Sequence, residues 1–179
     1  MIAILLADGF EEIEALTPFD ILKRAGLDVK TVAINNKIAV GAHKIPVICD
    51  ICAHELDLSS VSMLILPGGM PGTLNLDSSD FTDKIISAVT QNGGRIAAIC
   101  AAPIILGKRG LLNGKKATCY PGFEGDLTGA EISPLPVVTD GNVTTAKGMG
   151  VALDFSLELV RIILGEKRAD EISASVMKA

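Results

Sequence analysis

Apolar and polar positions follow two rhythms along this chain. Short apolar runs at Ile2–Ala7, Val29–Ile34, Met63–Leu66 and Arg95–Ile99 have the continuous character of strands buried on both faces of a sheet. Segments with helical spacing lie between them. Thr17 as N-cap, Pro18 at the first helical position and Asp20 three residues after the cap predict a helix that runs to Ala25 and stops at Gly26. Ser79 to Gln91 reads as an amphipathic helix closed by Gly93-Gly94, Gly150–Leu164 as a strongly apolar helix, and Ala169–Met177 as a weaker terminal one. Ile38–Val40 and Pro46–Cys49 suit a short hairpin or edge pair, with Pro46 marking the edge. Ala117–Tyr120, Pro136–Val138 and Val143–Ala146 read as further strands. Strand and helix alternating in this way imply an α/β sandwich with right-handed crossovers. Residues 1–179 are expected to form one domain, since no repeat, low-complexity stretch or linker interrupts them.

Composition narrows the classes. Apolar residues make up 49% of the chain and mean hydropathy is +0.45. The longest apolar run, Ile96 to Leu106, has 11 residues and contains a proline, whereas a membrane-spanning helix needs roughly 18 or more. The excess apolar residues instead fit a parallel sheet covered on both faces. A net charge of −5, no tryptophan, one tyrosine and no basic cluster argue against nucleic-acid binding. Met1–Leu6 lacks a basic leader and runs directly into Asp8, so it reads as a first strand rather than a signal peptide. Four cysteines are too few for a disulfide framework at this length, which predicts free thiols in a reducing, cytoplasmic setting.

Sites in such sheets lie at the carboxyl ends of the strands. Three loops are expected there: Asp8–Glu14, Pro67–Gly72 and Ile99–Pro103. Cys100 falls on the bend between a strand and a helix. A helix start and unpaired backbone N–H groups would lower its pKa from about 8.5 and make it nucleophilic. Consecutive glycines at Gly68-Gly69 would let backbone N–H groups converge on an anion or oxyanion. Glu11 and Glu12 read as favourable charge at a helix start. Glu14 sits among Ile13, Ala15 and Leu16 and can face inward, where a buried carboxyl resists ionisation and can donate a proton near a thiolate.

No cofactor motif is present: Pro67–Gly72 lacks the Gly-Lys-Ser/Thr of a phosphate loop and the G-x-G-x-x-G of a dinucleotide site. Gly148-Met149-Gly150 reads as packing or a pocket wall. Cys49 and Cys52, with His54 nearby, form a C-x-x-C; zinc would need Cys119 or His43 as well, so strand packing is the expected role, and no metal is expected. Both histidines, His43 and His54, precede Cys100, and nothing places either beside it. That disfavours Cys–His amidase or peptidase chemistry and makes an acidic partner for Cys100 more attractive.

Three segments taken together, Leu6–Glu14, Leu66–Gly69 and Ala97–Pro103, resemble the ThiJ/PfpI superfamily, specifically its DJ-one branch, and the resemblance extends over essentially the whole chain to Ala146–Gly150 and the final helices. It implies a flavodoxin-like three-layer α/β/α sandwich, similar to class I glutamine amidotransferases, and a homodimer. It implies Cys100 as nucleophile, Glu14 as the carboxyl bonded to it, and Gly68, Gly69 and the Ala101 amide as oxyanion donors. The implied activities are glutathione-independent conversion of methylglyoxal to lactate or deglycation, or redox sensing and holding-chaperone action through a cysteine that oxidises to sulfinate. This sequence departs from the family pattern in two places. Ala101 replaces the histidine that follows the cysteine in the peptidase-like branch, and Tyr120 takes the place of a histidine in the strand after the nucleophile helix. Lys44 and Arg24 are candidates for a basic residue near the site.

Overall fold

A computed structural model describes residues 1–178. In chain order the strands are β1 (Ile2–Leu6), β2 (Val29–Ala33), β3 (Ile38–Val40), β4 (Pro46–Ile48), β5 (Ile51–Cys52), β6 (Met63–Leu66), β7 (Arg95–Ile99), β8 (Lys116–Ala117), β9 (Glu131–Ile132), β10 (Val137–Asp140) and β11 (Val143–Ala146). The helices are α1 (Glu12–Arg24), α2 (Gly72–Asp77), α3 (Asp80–Gln91), α4 (Pro103–Lys108), α5 (Ala152–Leu164) and α6 (Glu166–Ser175).

Seven strands form the central sheet in the order β10-β11-β7-β6-β1-β2-β5. All neighbours run parallel except β10, which pairs antiparallel with β11 at one edge. The central strands are apolar on both faces because both faces are covered. Ile4, Leu6, Ile65 and Ile99 point to one side and pack with Leu22 of α1 and Phe155 and Leu159 of α5. Leu5, Leu64 and Leu66 point to the other and pack with Ile85 and Val89 of α3 and Ile105 of α4. This is the flavodoxin-like three-layer sandwich expected from the alternation of elements. The order reverses between β1 and β6, which opens a crevice at their carboxyl ends.

Several boundaries differ from the sequence reading, each for a local reason. The first helix begins at Glu12, well before Thr17, and Pro18 lies inside it. Thr17-Pro18 imitates a cap, yet a helix docked on a sheet tolerates a proline that lacks the N–H for the carbonyl four residues back. Tyr120 is in a loop rather than a strand, because β8 ends at Ala117. The last strand pair begins at Val137, and α5 begins at Ala152 after a single 3-10 turn at Met149–Val151. The short elements β5, β9 and α2 leave too little periodicity to be read. β3 and β4 do pair, as an antiparallel hairpin separate from the central sheet.

Candidate active site

The carboxyl ends of β1, β6 and β7 deliver the three loops that hold the chemistry. After β7 the chain turns at Cys100, whose φ of 65° lies in the left-handed region that costs a non-glycine residue about 1–3 kcal/mol. The surroundings fix that turn. The Cys100 N–H donates to the Ala146 carbonyl at 2.9 Å, and the Cys100 carbonyl accepts from the Tyr120 N–H at 2.8 Å. The sulfur is thereby aimed across the crevice. Cys100 is partly exposed, while Cys49, Cys52 and Cys119 are buried.

Glu14, in the first turn of α1, faces inward and is only 1% exposed. Its carboxyl hydrogen-bonds the Cys100 thiol and accepts from the Met149 N–H. Its Oε2 also accepts from the Gly68 N–H at 2.9 Å. Burial is the largest influence on this carboxyl and, aided by the charge of Glu11, holds its pKa up at about 7 against the lowering effect of those hydrogen bonds.

The thiol itself departs from the expectation of a lowered pKa. Burial first, then the charge and hydrogen bond of Glu14, push Cys100 up to about 12, while the Gly69 and Ala101 N–H groups pull it down. The helix start contributes little: α4 begins at Pro103, two residues beyond Ala101, and is only six residues long. The two acids oppose each other's ionisation, so the pair gives up its first proton near pH 7 and keeps the second far into the alkaline range. With that proton on Glu14, the repulsion is replaced by a hydrogen bond donated to sulfur.

Of the residues named from sequence, Cys100, Glu14, Gly69 and Ala101 come together as expected. Gly68 does not serve as an oxyanion donor, because its N–H is spent on Glu14. It has a steric role instead: a Cβ there would lie 2.6 Å from both Cys100 Cβ and Glu14 Oε2. A Gly68→Ala variant should therefore melt lower, by about 1–3 kcal/mol of stability, and lose the carboxyl–thiol contact, as thermal unfolding and alkylation of the thiol would show. Tyr120 is half exposed, with its ring beside Gly148 at the mouth of the crevice and edge-on to Phe123. Arg24 lies at the far end of α1, paired with Asp20 at 2.7 Å, so it supplies no charge here. Lys44 is exposed on the hairpin.

Two features escaped the sequence reading. Met149 contributes a backbone N–H to Glu14, a role with no side-chain signature. Glu12 is 4% exposed rather than solvated. Its Oε1 accepts from the His43 N–H at 2.8 Å and its Oε2 lies 2.8 Å from His43 Nδ1. Glu11 Oε2 is 3.7 Å from the same nitrogen. These donor atoms all lie within 4.8 Å of one another; with His43 Nδ1 committed to Glu12, the trio reads as an ion pair rather than a metal centre. The C-x-x-C, His54 and Cys119 do not assemble into a metal-binding group among the described residues. No helix among them is long and apolar enough to cross a membrane.

Comparison with known proteins bears on this arrangement. The model of the DJ-1/PfpI family matches residues 1–162. DJ-1 homolog B of Arabidopsis thaliana is 36% identical over 175 residues, covering 96% of this chain but only 40% of its own length. A Pyrococcus abyssi protein named as a deglycase is 30% identical over 165 residues, covering 90% of this chain and 98% of its own. The solved structure of oxidised Toxoplasma gondii DJ-1 superposes with a TM-score of 0.95 at 28% identity, covering 99% of this chain and 98% of that one.

Proposed function

The chain belongs to the DJ-1/PfpI family, and on that premise we propose that it is a cysteine-dependent, stress-protective enzyme acting on small reactive dicarbonyls. The observation that carries this reading is the contact between the Cys100 thiol and a buried Glu14 whose pKa stands at about 7. A carboxyl poised there can give and take a proton at physiological pH. A family relative named as a deglycase supports a stress-protective role.

Methylglyoxal serves as the worked substrate. The sulfur of Cys100 adds to the aldehyde carbon, and the shared proton moves to the carbonyl oxygen, giving a hemithioacetal. The Gly69 and Ala101 N–H groups, which face the sulfur, are placed to stabilise the developing oxyanion. Glu14, now a carboxylate, removes the proton from the former aldehyde carbon and returns it to the neighbouring carbon, while the hydroxyl proton on the first carbon passes to the ketone oxygen; the first carbon is left as a carbonyl and the second bears the hydroxyl. The product is a lactoyl thioester. Water cleaves it to lactate and restores the thiol, so the sum is methylglyoxal plus water to lactate, with no redox partner. Lactate should form from methylglyoxal without glutathione; its absence with intact thiol would refute the reading.

A second reading, a redox sensor or holding chaperone, draws on two observations. Cys100 alone among the four cysteines is more than marginally exposed, and the Toxoplasma relative was solved oxidised. Mild peroxide should then add about 32 Da, two oxygens, to Cys100 alone. Oxidation distributed over all four cysteines on intact and peptide mass measurement would count against it.

We propose a homodimer as the working assembly. Ile13 and Leu16 of α1 and Ile38, Ile45 and Ile48 of the hairpin are exposed large apolar side chains, which supports a covering partner.

A further inference from the structure

The β3–β4 hairpin has no strand partner in the central sheet, yet it is strapped to the loop that carries the acids. The Gly9 N–H donates to the Val40 carbonyl at 2.7 Å, the Val40 N–H to Asp8 Oδ1 at 2.8 Å, and the Ala42 N–H to the Phe10 carbonyl at 2.8 Å. The strap ends at His43, whose backbone and ring both engage Glu12. Glu12 can be buried there because Gly41 leaves the room: a Cβ on Gly41 would collide with the Glu12 side chain. When protonated, His43 is the cation that the hairpin brings against this acidic turn, its Nδ1 2.8 Å from Glu12 Oε2 and 3.7 Å from Glu11 Oε2.

We infer that His43 is a positioning residue, whose imidazolium holds Glu11 and Glu12 and thereby sets the pH at which the Cys100–Glu14 pair gives up its first proton. The inference rests on the reading of that pair given above. The charged groups facing His43 are Glu11 and Glu12, and both favour its protonated form. Those facing Glu14 are Glu11 and Cys100, together with the Gly68 and Met149 N–H groups. Glu14 itself and the Gly69 and Ala101 N–H groups face Cys100. Glu11, 3.7 Å from the His43 ring nitrogen, is thus the charge that acts on both the imidazole and the reacting acid. While His43 is charged, it offsets the field of Glu11 at Glu14. Without it, the full negative charge bears on the pair and deprotonation becomes harder.

The test is the rate of Cys100 alkylation by iodoacetamide as a function of pH, followed by mass of the Cys100 peptide in the full-length protein. Replacing His43→Gln keeps a donor for Glu12 but removes the charge. The midpoint of the first step, near pH 7 in wild type, should move up by about 0.3–1 pH unit, the range for one charge interacting through partly hydrated protein. The His43→Lys variant restores the charge and should bring the midpoint back toward wild type. Glu11→Gln removes the charge on the other side and should move it down. An unchanged midpoint in His43→Gln, or equal upward shifts in His43→Gln and His43→Lys, overturns the inference. Should His43→Gln fail to fold, Glu11→Gln decides: a downward shift supports the inference and no shift overturns it. Because alkylation needs no substrate, a protein without activity on methylglyoxal still gives a clear answer here.

Discussion

Replacing Cys100→Ser is expected to reduce kcat/KM for methylglyoxal on the order of 10³-fold or more, the scale lost when the group that forms the covalent intermediate is removed. Serine is nearly isosteric and should occupy the same strained turn, held by the Ala146 and Tyr120 contacts. The fold should therefore survive, and circular dichroism should match wild type. What changes is acidity: a hydroxyl in this buried site cannot reach its alkoxide by sharing a proton with a carboxyl at about 7. Comparing lactate formation in the two proteins at equal concentration decides the matter. Equal rates would remove Cys100 from the chemistry and leave the site to another group.

Glu14→Gln should separate two properties that are usually lost together. Thiol reactivity toward iodoacetamide should rise near neutral pH, because the charge that opposes the thiolate is gone. Turnover should fall about 10²–10⁴-fold, because the amide cannot carry a proton between carbons. Stability should change with pH as well. The folded-state pKa of Glu14, about 7, is above its ordinary value of 4.5. The folded chain therefore binds the proton more tightly than the unfolded chain. Its contribution is complete below about pH 4.5 and is lost as pH rises through 7. At pH 8 the glutamine variant should be the more stable of the two, by about 2–3 kcal/mol, and near pH 4 the difference should disappear. Chemical denaturation at the two pH values measures it. A turnover loss without a gain in thiol reactivity would show that Glu14 positions the sulfur rather than opposing its charge.

The sheet and its helices were legible because both faces of the central strands are covered, so that runs such as Met63–Leu66 carry no polar interruption. Cys100 was legible from the strand-to-helix bend, and Glu14 from the apolar residues around it. The start of α1 was not, since Thr17-Pro18 carries every local mark of a cap while docking on the sheet decides otherwise. Gly68 resisted reading for a different reason. A glycine that admits two side chains and one that aims its amide at an oxyanion look the same in sequence. The pairing of Glu12 with His43, 31 positions apart, depends on the hairpin folding back over the first loop, and no periodicity within α1 reports the space left by Gly41. The acidity of Cys100 was misjudged because a bend before a helix suggests a dipole, whereas burial and a neighbouring carboxylate outweigh six residues of helix.

Glu14 and Gly68 are 54 positions apart in the chain, and Cys100 lies further on again. Their meeting requires β1, β6 and β7 to be side by side. A newly made or denatured polypeptide thus carries an ordinary sulfhydryl, and its distinctive pH response arises only with sheet assembly. Timed labelling of that sulfhydryl during refolding would serve as an intrinsic clock for when the middle of the sheet closes, without any introduced dye.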